Sequence, residues 1–467
     1  MAAKCLRISN HANMKPFKTK NSNTKLALLA GTAALTAFTS QSHAQSSDAL
    51  IDKLVDKGIL TSTEAKDLRD EADKNFSTAL QAKTGMPDWV SGYKISGDVR
   101  GRFEGFYSEN QNFVDRNRLR YRVRAGLAVT MLDNFEAGFK ITSSDAASGG
   151  SNNEGDPISG NTTMQNNGSK KLVYIDQAYG KWTPFTGAFS GGFTVGKMEN
   201  PFVLSDLIMD PDYTPEGLAG QFAYQLNSVH SLKLNAGGFV LDEISSNEKD
   251  PWLFGAQARW DAAWNTKWSS SAGVAYLPMI SRTSLTTAAV PNQNRGNARN
   301  GDGSLTYHFN PVDLDASVTY NFESAPFYTG AFPVKLSGEY VINPGAPSGA
   351  DNYAWSTGIT FGKSGKKKTW EVSYTYKWLG ANSAWEELTD SDFGAFYGQA
   401  NSPVNSGAGV GYGSGPNSKG HVVKFAYSPS DSLTLSLKWF ATDLINEFPA
   451  NSQSGMSRMQ VDAMWKF

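Results

Sequence analysis

The sequence predicts an all-β fold, a closed antiparallel β-barrel of sixteen strands that crosses a membrane, preceded by a short helical segment. Three observations carry this. From Tyr93 onward apolar residues recur with a period of two, against an opposite face of charged and polar residues. The connections between these segments alternate between short and long. The chain ends on an alternating, aromatic-rich segment, Met459, Val461, Ala463, Trp465, Phe467.

The N-terminus comes first. A mean hydropathy of -0.40 excludes a protein of many membrane helices. A helical span needs about 20 apolar residues, and the one long apolar run, Leu26 to Phe38, falls short of that. Lys4, Arg7, Lys15, Lys18, Lys20 and Lys25 precede it without any acid, and Ser42-His43-Ala44 follows as a small-x-small site. Residues 1–44 therefore read as a signal peptide cleaved after Ala44, which implies export. The only cysteine, Cys5, lies within it, so the mature chain has no disulfide, thiolate metal site or cysteine nucleophile. The full chain has 43 basic and 44 acidic residues. Six of the basic residues leave with the signal, so the mature chain is acidic overall. Nothing in this balance suggests nucleic acid.

Residues 45–85 form the second unit and read as helix. Leu50, Ile51, Leu54 and Val55 share one helical face, Gly58 interrupts, and Thr61-Ser62-Thr63-Glu64 is a capping box. Ala65, Leu68, Ala72 and Phe76 then mark an apolar side. Such a segment is expected in the periplasm, either touching the cell wall or packed on itself.

The barrel follows, over 86–467. In its first strand Tyr93, Ile95, Val99 and Phe103 alternate with Lys94, Asp98, Arg100, Arg102 and Glu104. In the second, Leu119, Tyr121, Val123, Ala125 and Leu127 oppose Arg116, Arg118, Arg120, Arg122 and Arg124. Five arginines on one strand face cannot enter a dry core without partners. The expectation is that they line water inside the barrel while the apolar face meets lipid. Comparable alternation marks 135–141, 232–240, 252–261, 334–340, 370–378 and 433–439, whereas 171–183 is ambiguous in phase. Short connections are expected near 132–134, 184–187, 227–229, 265–267, 362–367 and 428–432. Long ones are expected at 144–170, 199–216, 281–303, 380–418 and 444–456. Residues 304–322 accommodate one strand or two, which makes eighteen strands the alternative count.

Two features carry functional expectations. Antiparallel pairing would set Arg100 and Arg102 beside Arg122 and Arg120, a basic strip that steers anions unless carboxylates balance it. The third long loop holds Asp206, Asp210, Asp212 and Glu216 among three prolines, and would place these acids opposite the arginines if it folds inward. Asp210-x-Asp212-x-x-x-Glu216 lacks the helix–loop–helix context of a calcium loop, so no metal or other cofactor is expected. His230, His308 and His421 fit no catalytic or metal-ligand spacing. Gly409 to Gly415 lacks the strand-to-helix setting of a nucleotide site. No enzyme is expected.

Val195-Gly196-Lys197, Asn200-Pro201-Phe202, Asp210-Pro211-Asp212 and Thr214-Pro215-Glu216-Gly217 resemble the bacterial putative-porin family. So do Asp115 to Arg120, Val334 to Asn343 and Asp390-Ser391-Asp392-Phe393-Gly394. Lys57-Gly58-Ile59-Leu60-Thr61 is similar to the helical leader of this family and of phosphate-selective porins. The terminal pattern with Val461, Trp465 and Phe467 resembles the signal read by the barrel-assembly machinery. The resemblance implies a diffusion channel of the Gram-negative outer membrane, surrounded by lipid and assembled as a homotrimer. It names no solute. An anion- or phosphate-specific channel and a structural or adhesive barrel are the competing expectations.

Overall fold

A computed structural model of the chain describes Glu64, Ala65, Leu68 and residues 87–467, apart from 148–153, 246–247, 293–295, 399–409 and 449. The chain divides into two compact units, 1–88 and 89–467. In the first, Glu64, Ala65 and Leu68 are helical. The signal peptide and the rest of the expected helical segment lie outside the described residues.

The second unit is built from strands with almost no helix. In chain order they are β1 (Val90–Ser108), β2 (Arg116–Met131), β3 (Phe135–Ser143), β4 (Thr162–Thr163), β5 (Val173–Phe185), β6 (Phe189–Lys197), β7 (Glu216–Gln225), β8 (His230–Val240), β9 (Trp252–Ala263) and β10 (Trp268–Tyr276). There follow β11 (Met279–Ile280), β12 (Val312–Phe322), β13 (Phe332–Ile342), β14 (Tyr353–Gly362), β15 (Thr369–Leu379), β16 (Gly394–Tyr397), β17 (Gly411–Ser414), β18 (Ser418–Ser428), β19 (Leu433–Leu444) and β20 (Met456–Lys466). Sixteen of these are long antiparallel staves, and β1 pairs with β20 to close the ring. The two-residue strands β4 and β11 extend the same sheet beside β2 and β9. β16 and β17 form a separate hairpin. Residues 304–322 hold one stave, β12, so the count of sixteen stands.

Side-chain alternation orients the wall. Tyr93, Ile95, Val99, Leu119, Val123 and Leu127 face outward and are exposed, while Asp98, Arg102, Glu104, Arg120 and Arg122 face inward and are buried. The ambiguous phase of 171–183 has a physical cause in β5. Its pairing slips by one residue between Ile175 and Gln177, and slips again before Phe185. Outward-facing positions therefore switch from Val173 and Ile175 to Trp182, then to Phe185.

One rim of the barrel carries the turns 132–134, 186–188, 226–229, 264–267, 323–331, 363–368 and 429–432, together with both chain ends of the barrel. The nine-residue turn 323–331 has no counterpart in the sequence expectation. The other rim carries the long loops 144–172, 198–215, 277–311 and 380–417.

Closure is sealed at the turn rim. The Gly97 and Phe467 backbones exchange hydrogen bonds of 2.9 and 3.1 Å, and Val461 and Trp465 sit in register with Phe103 and Val99. A Cβ on Gly97 would lie 2.3 Å from the Arg124 carbonyl oxygen and 2.5 Å from the Phe467 ring. Gly97→Val is therefore expected to reduce the fraction of protein that migrates as folded, heat-modifiable barrel on unheated gels. An unchanged folded fraction would contradict the seal.

Candidate functional site

The sequence reading has the inward face of β1 and β2 open to water. The structure turns this face inward but covers much of it. Arg102, Arg120 and Arg122 are 6, 7 and 4% exposed. Arg102 grips Asp462 bidentately at 2.7 and 2.8 Å and reaches Asp392 at 3.3 Å. Arg118 meets Glu104 at 2.5 Å, and Arg120 meets Asp145 at 3.2 Å and the Asn161 carbonyl oxygen at 3.1 Å. Arg122 and Arg124 share both Asp98 and Asp212, at 2.7–3.1 Å. Arg100 instead donates to the Asn161 side chain at 2.6 Å. Arg116 is exposed at the loop rim.

The strip is thus an alternating lattice of guanidinium and carboxylate. Burial demands this, because a charge taken out of water stays ionised only beside opposite charge and hydrogen-bond donors. Four members, Asp145, Asp392, Arg458 and Asp462, are charges that the sequence reading did not place here. Arg458 of β20 pairs with Glu104 and, at 2.6 Å, with Asp392. Arg458, Gln460 and Asp462 hold the inward phase of the last strand, so alternation with Met459, Val461 and Ala463 was their available signal. Asp392 lies in loop 380–417, and nothing local says that this loop turns inward.

The third long loop, 198–215, disperses its acids. Asp212 alone meets the arginines. Asp206 pairs with Lys377 of β15 at 2.7 Å, and Glu216 at the start of β7 pairs with Lys197 at 2.9 Å. Asp210 is buried; its carboxylate accepts from the Ser391 and Asp212 backbone N–H groups at 2.9 and 2.8 Å. Loops 198–215 and 380–417 dock through backbone bonds as well, Asp210 N–H to the Leu388 oxygen at 2.6 Å and Asp390 N–H to the Asp206 oxygen at 3.0 Å. Burial, then the Asp390 and Asp212 carboxylates, push the Asp210 carboxyl well above the usual range. Burial works the same way on Asp392, but Arg458 and Arg102 outweigh it and hold that carboxyl well below the usual range.

Behind these polar contacts lies an apolar core inside the barrel. Phe202, Leu207, Ile208 and Met209 from loop 198–215 pack with Leu277, Leu285, Leu305 and Phe309 from 277–311, and with Trp385 and Leu388 from 380–417. Arg299 and Glu386, both fully buried, join the last two loops at 2.8 Å. On the side of β2, β3, β5 and β6 the loops leave an open-mouthed cavity of about 830 Å³. Its lining carries the carboxylates Glu154, Asp156, Asp176, Asp212, Glu216, Asp242 and Glu243 against the cations Arg124 and Lys197.

The chain is thus a closed barrel of sixteen staves with an apolar outer face, inward-folded loops and a charged chamber.

Residues 110–282 match the family described as Putative porin.

With the barrel, this match points to a porin-type channel of a bacterial outer membrane. Among solved structures, OprB of Pseudomonas putida at high pH is similar with 10% identity and a TM-score of 0.49, covering 84% of this chain and 96% of that one. The outer membrane channel DcaP of Acinetobacter baumannii has 13% identity and a TM-score of 0.43, covering 80% and 97%. OmpF of Salmonella typhi, in complex with daunomycin, has 10% identity and a TM-score of 0.43, also covering 80% and 97%. No curated protein matches the chain.

Two predictions follow from the lattice. Arg458→Ala leaves Glu104 and Asp392 buried without their shared cation and is expected to cost about 3–5 kcal/mol of barrel stability, read from the urea midpoint of the heat-modifiable band. A midpoint equal to wild type contradicts this. Asp392 is held below its unfolded value of about 3.9, so its contribution is present above that value and lost as pH falls through the lower, folded one. Barrel stability should therefore decline in strong acid, and Asp392→Asn should flatten that decline while lowering stability at neutral pH.

Proposed function

We propose that the chain is an outer-membrane porin that lets small hydrophilic solutes diffuse down their gradients through the chamber beside β2, β3, β5 and β6. The observation that carries this reading is the chamber itself, a space with charged side chains in its lining, set inside a closed wall beside a core packed from loop residues. Arg100, Arg102, Arg116, Arg118, Arg120, Arg122 and Arg124 form the wall of the constriction on one flank, and the loop carrying Asp206, Asp210, Asp212 and Glu216 forms the other. Asp98, Glu104, Asp145, Asp212, Asp392 and Asp462 balance most of the arginine charge. The field felt by a solute is then set by the chamber lining, where carboxylates exceed cations. This reading favours a modest cation preference in place of the basic field that the β1–β2 hairpin alone suggests. A homotrimer, a signal cleaved after Ala44, assembly through the terminal aromatic strand and a periplasmic helical segment against the cell wall belong to the same proposal.

An anion-specific channel is the second reading, and Arg100 favours it. Among the described residues it has no carboxylate ion pair, and its Nε is buried without a hydrogen-bond partner.

Reversal potentials across planar bilayers under a potassium chloride gradient test the choice. The first reading expects single-channel steps with cations preferred. Asp212→Asn, which removes a chamber carboxylate and releases Arg122 and Arg124, should move selectivity toward anions. Unchanged selectivity in that variant counts against the chamber as the filter. Saturable block by one anion favours the second reading, and well-folded barrels without current favour a structural or adhesive protein.

A further inference from the structure

We propose that the turns 323–331 and 363–368 form a binding site for anionic phospholipid headgroups of the periplasmic leaflet. The site rests on the outer-membrane placement proposed above, with the turn rim periplasmic, and not on whether the chamber conducts.

The turn 323–331 lies over the outer, lipid-facing wall. Phe332 occupies the outward phase of β13, like the exposed Leu336 and Tyr340, yet it is only 7% exposed. The rings of Tyr328 and Trp370 cover it, with centroids 5.0 and 4.9 Å away. Trp370 Nε1 donates to the Pro326 carbonyl oxygen at 3.2 Å, and Tyr328 Oη to that of Lys363 at 3.1 Å. Thr329 N–H donates to the Lys368 oxygen at 3.1 Å. The two turns are therefore one rigid unit.

On this unit Phe327 is 93% exposed and sits at φ 57°, in the left-handed region. A bulky side chain raises the backbone cost there and glycine would remove it. Packing within the chain returns nothing for it, because the ring touches so little protein. The turn and the end of β12 that leads into it carry a group of aromatic residues, Tyr320 and Phe322 on β12 and Tyr328 and Trp370 at the turn itself, the composition of a membrane interface. An aromatic ring held out at that level meets lipid.

The adjoining turn supplies the charge. Lys363, Lys366, Lys367 and Lys368 are all exposed, and none forms an ion pair with a described residue. Lys368 itself is at φ 60°. Its backbone N–H is fixed to the Ser428 oxygen at 2.8 Å, and that of Lys367 to Asp431 at 2.7 Å. Four ammonium groups without an ion pair, on a turn into which the carboxylates of Asp431 and Glu371 bond, stand beside an exposed ring and match a phosphate at the headgroup level with its acyl chains alongside. The one acid of the first turn, Glu323, is itself paired with Lys267 at 3.0 Å.

The test uses delipidated full-length protein in neutral detergent, titrated with phosphatidylglycerol or phosphatidylcholine and read by native mass spectrometry. Wild type should retain phosphatidylglycerol over phosphatidylcholine. The combined variant Lys366→Gln, Lys367→Gln, Lys368→Gln should lose this preference, at about fivefold per lysine. Phe327→Gly, which relieves the backbone, should fold at least as well as wild type and retain less of the lipid. Equal retention by all variants overturns the proposal. So does displacement of the lipid by millimolar inorganic phosphate, which would mark a site for the free ion. Binding of soluble cell-wall glycan fragments in place of phosphatidylglycerol also overturns it, by assigning the lysines to a different polymer. Single-channel current recorded on the same preparations separates this outcome from failure of the channel reading.

Discussion

Glu104 has no solvent exposure and stands among Arg118, Arg120 and Arg458, and the rest of the interior depends on charges of this kind being paired. The wall of a membrane barrel must turn one face of every strand to lipid, so its polar residues are forced inward whether or not water waits there. On β1 and β2 that rule concentrates seven arginines with Asp98 and Glu104 in a narrow strip. They are tolerable only if loops and the last strand bring in partners. The partners come from far along the chain, Asp212 from one loop, Asp392 from another and Arg458 from the closing strand. Charge satisfaction therefore fixes where the loops go, and the loops fix the space that remains.

That space is not the whole lumen. Three of the long loops, 198–215, 277–311 and 380–417, carry enough apolar surface to build a core inside the barrel, with Leu207, Leu305, Phe309 and Leu388 buried. Residues such as Phe202 and Trp385 leave water without touching lipid. The loop end of the interior consequently holds a dry, loop-packed sector beside an open, acidic one. On the proposed reading, selectivity belongs to the few side chains of the acidic sector, and the arginine strip is the wall against which the loop bearing Asp212 is held.

The staves were legible in the sequence because their physics is local. A period of two, a lipid-facing apolar set and alternate short and long connections are written within a dozen residues of each other. That is why sixteen strands and the closing role of Phe467 could be anticipated. The phase of β5 was obscured by its two register slips, which no local pattern reveals. The turn at 323–331 was missed because it reads as neither strand nor tight turn. The destinations of Asp206, Asp210, Asp392 and Glu386 were not legible at all, because each depends on a partner at least 66 residues away. The sequence shows that loop 380–417 is long and acidic; only the tertiary contacts show that it enters the barrel.

The divided interior is the central claim, and cysteine accessibility under voltage tests it most directly. The one cysteine, Cys5, lies in the expected signal peptide, so an introduced thiol reports alone. A membrane-impermeant, charged thiol reagent should change the current through Asp242→Cys, at the lining of the acidic chamber. It should leave Leu388→Cys, within the loop core, unmodified in the folded barrel. Rapid modification and block at position 388, with none at 242, would place the conduit in the sector described as dry and contradict the account.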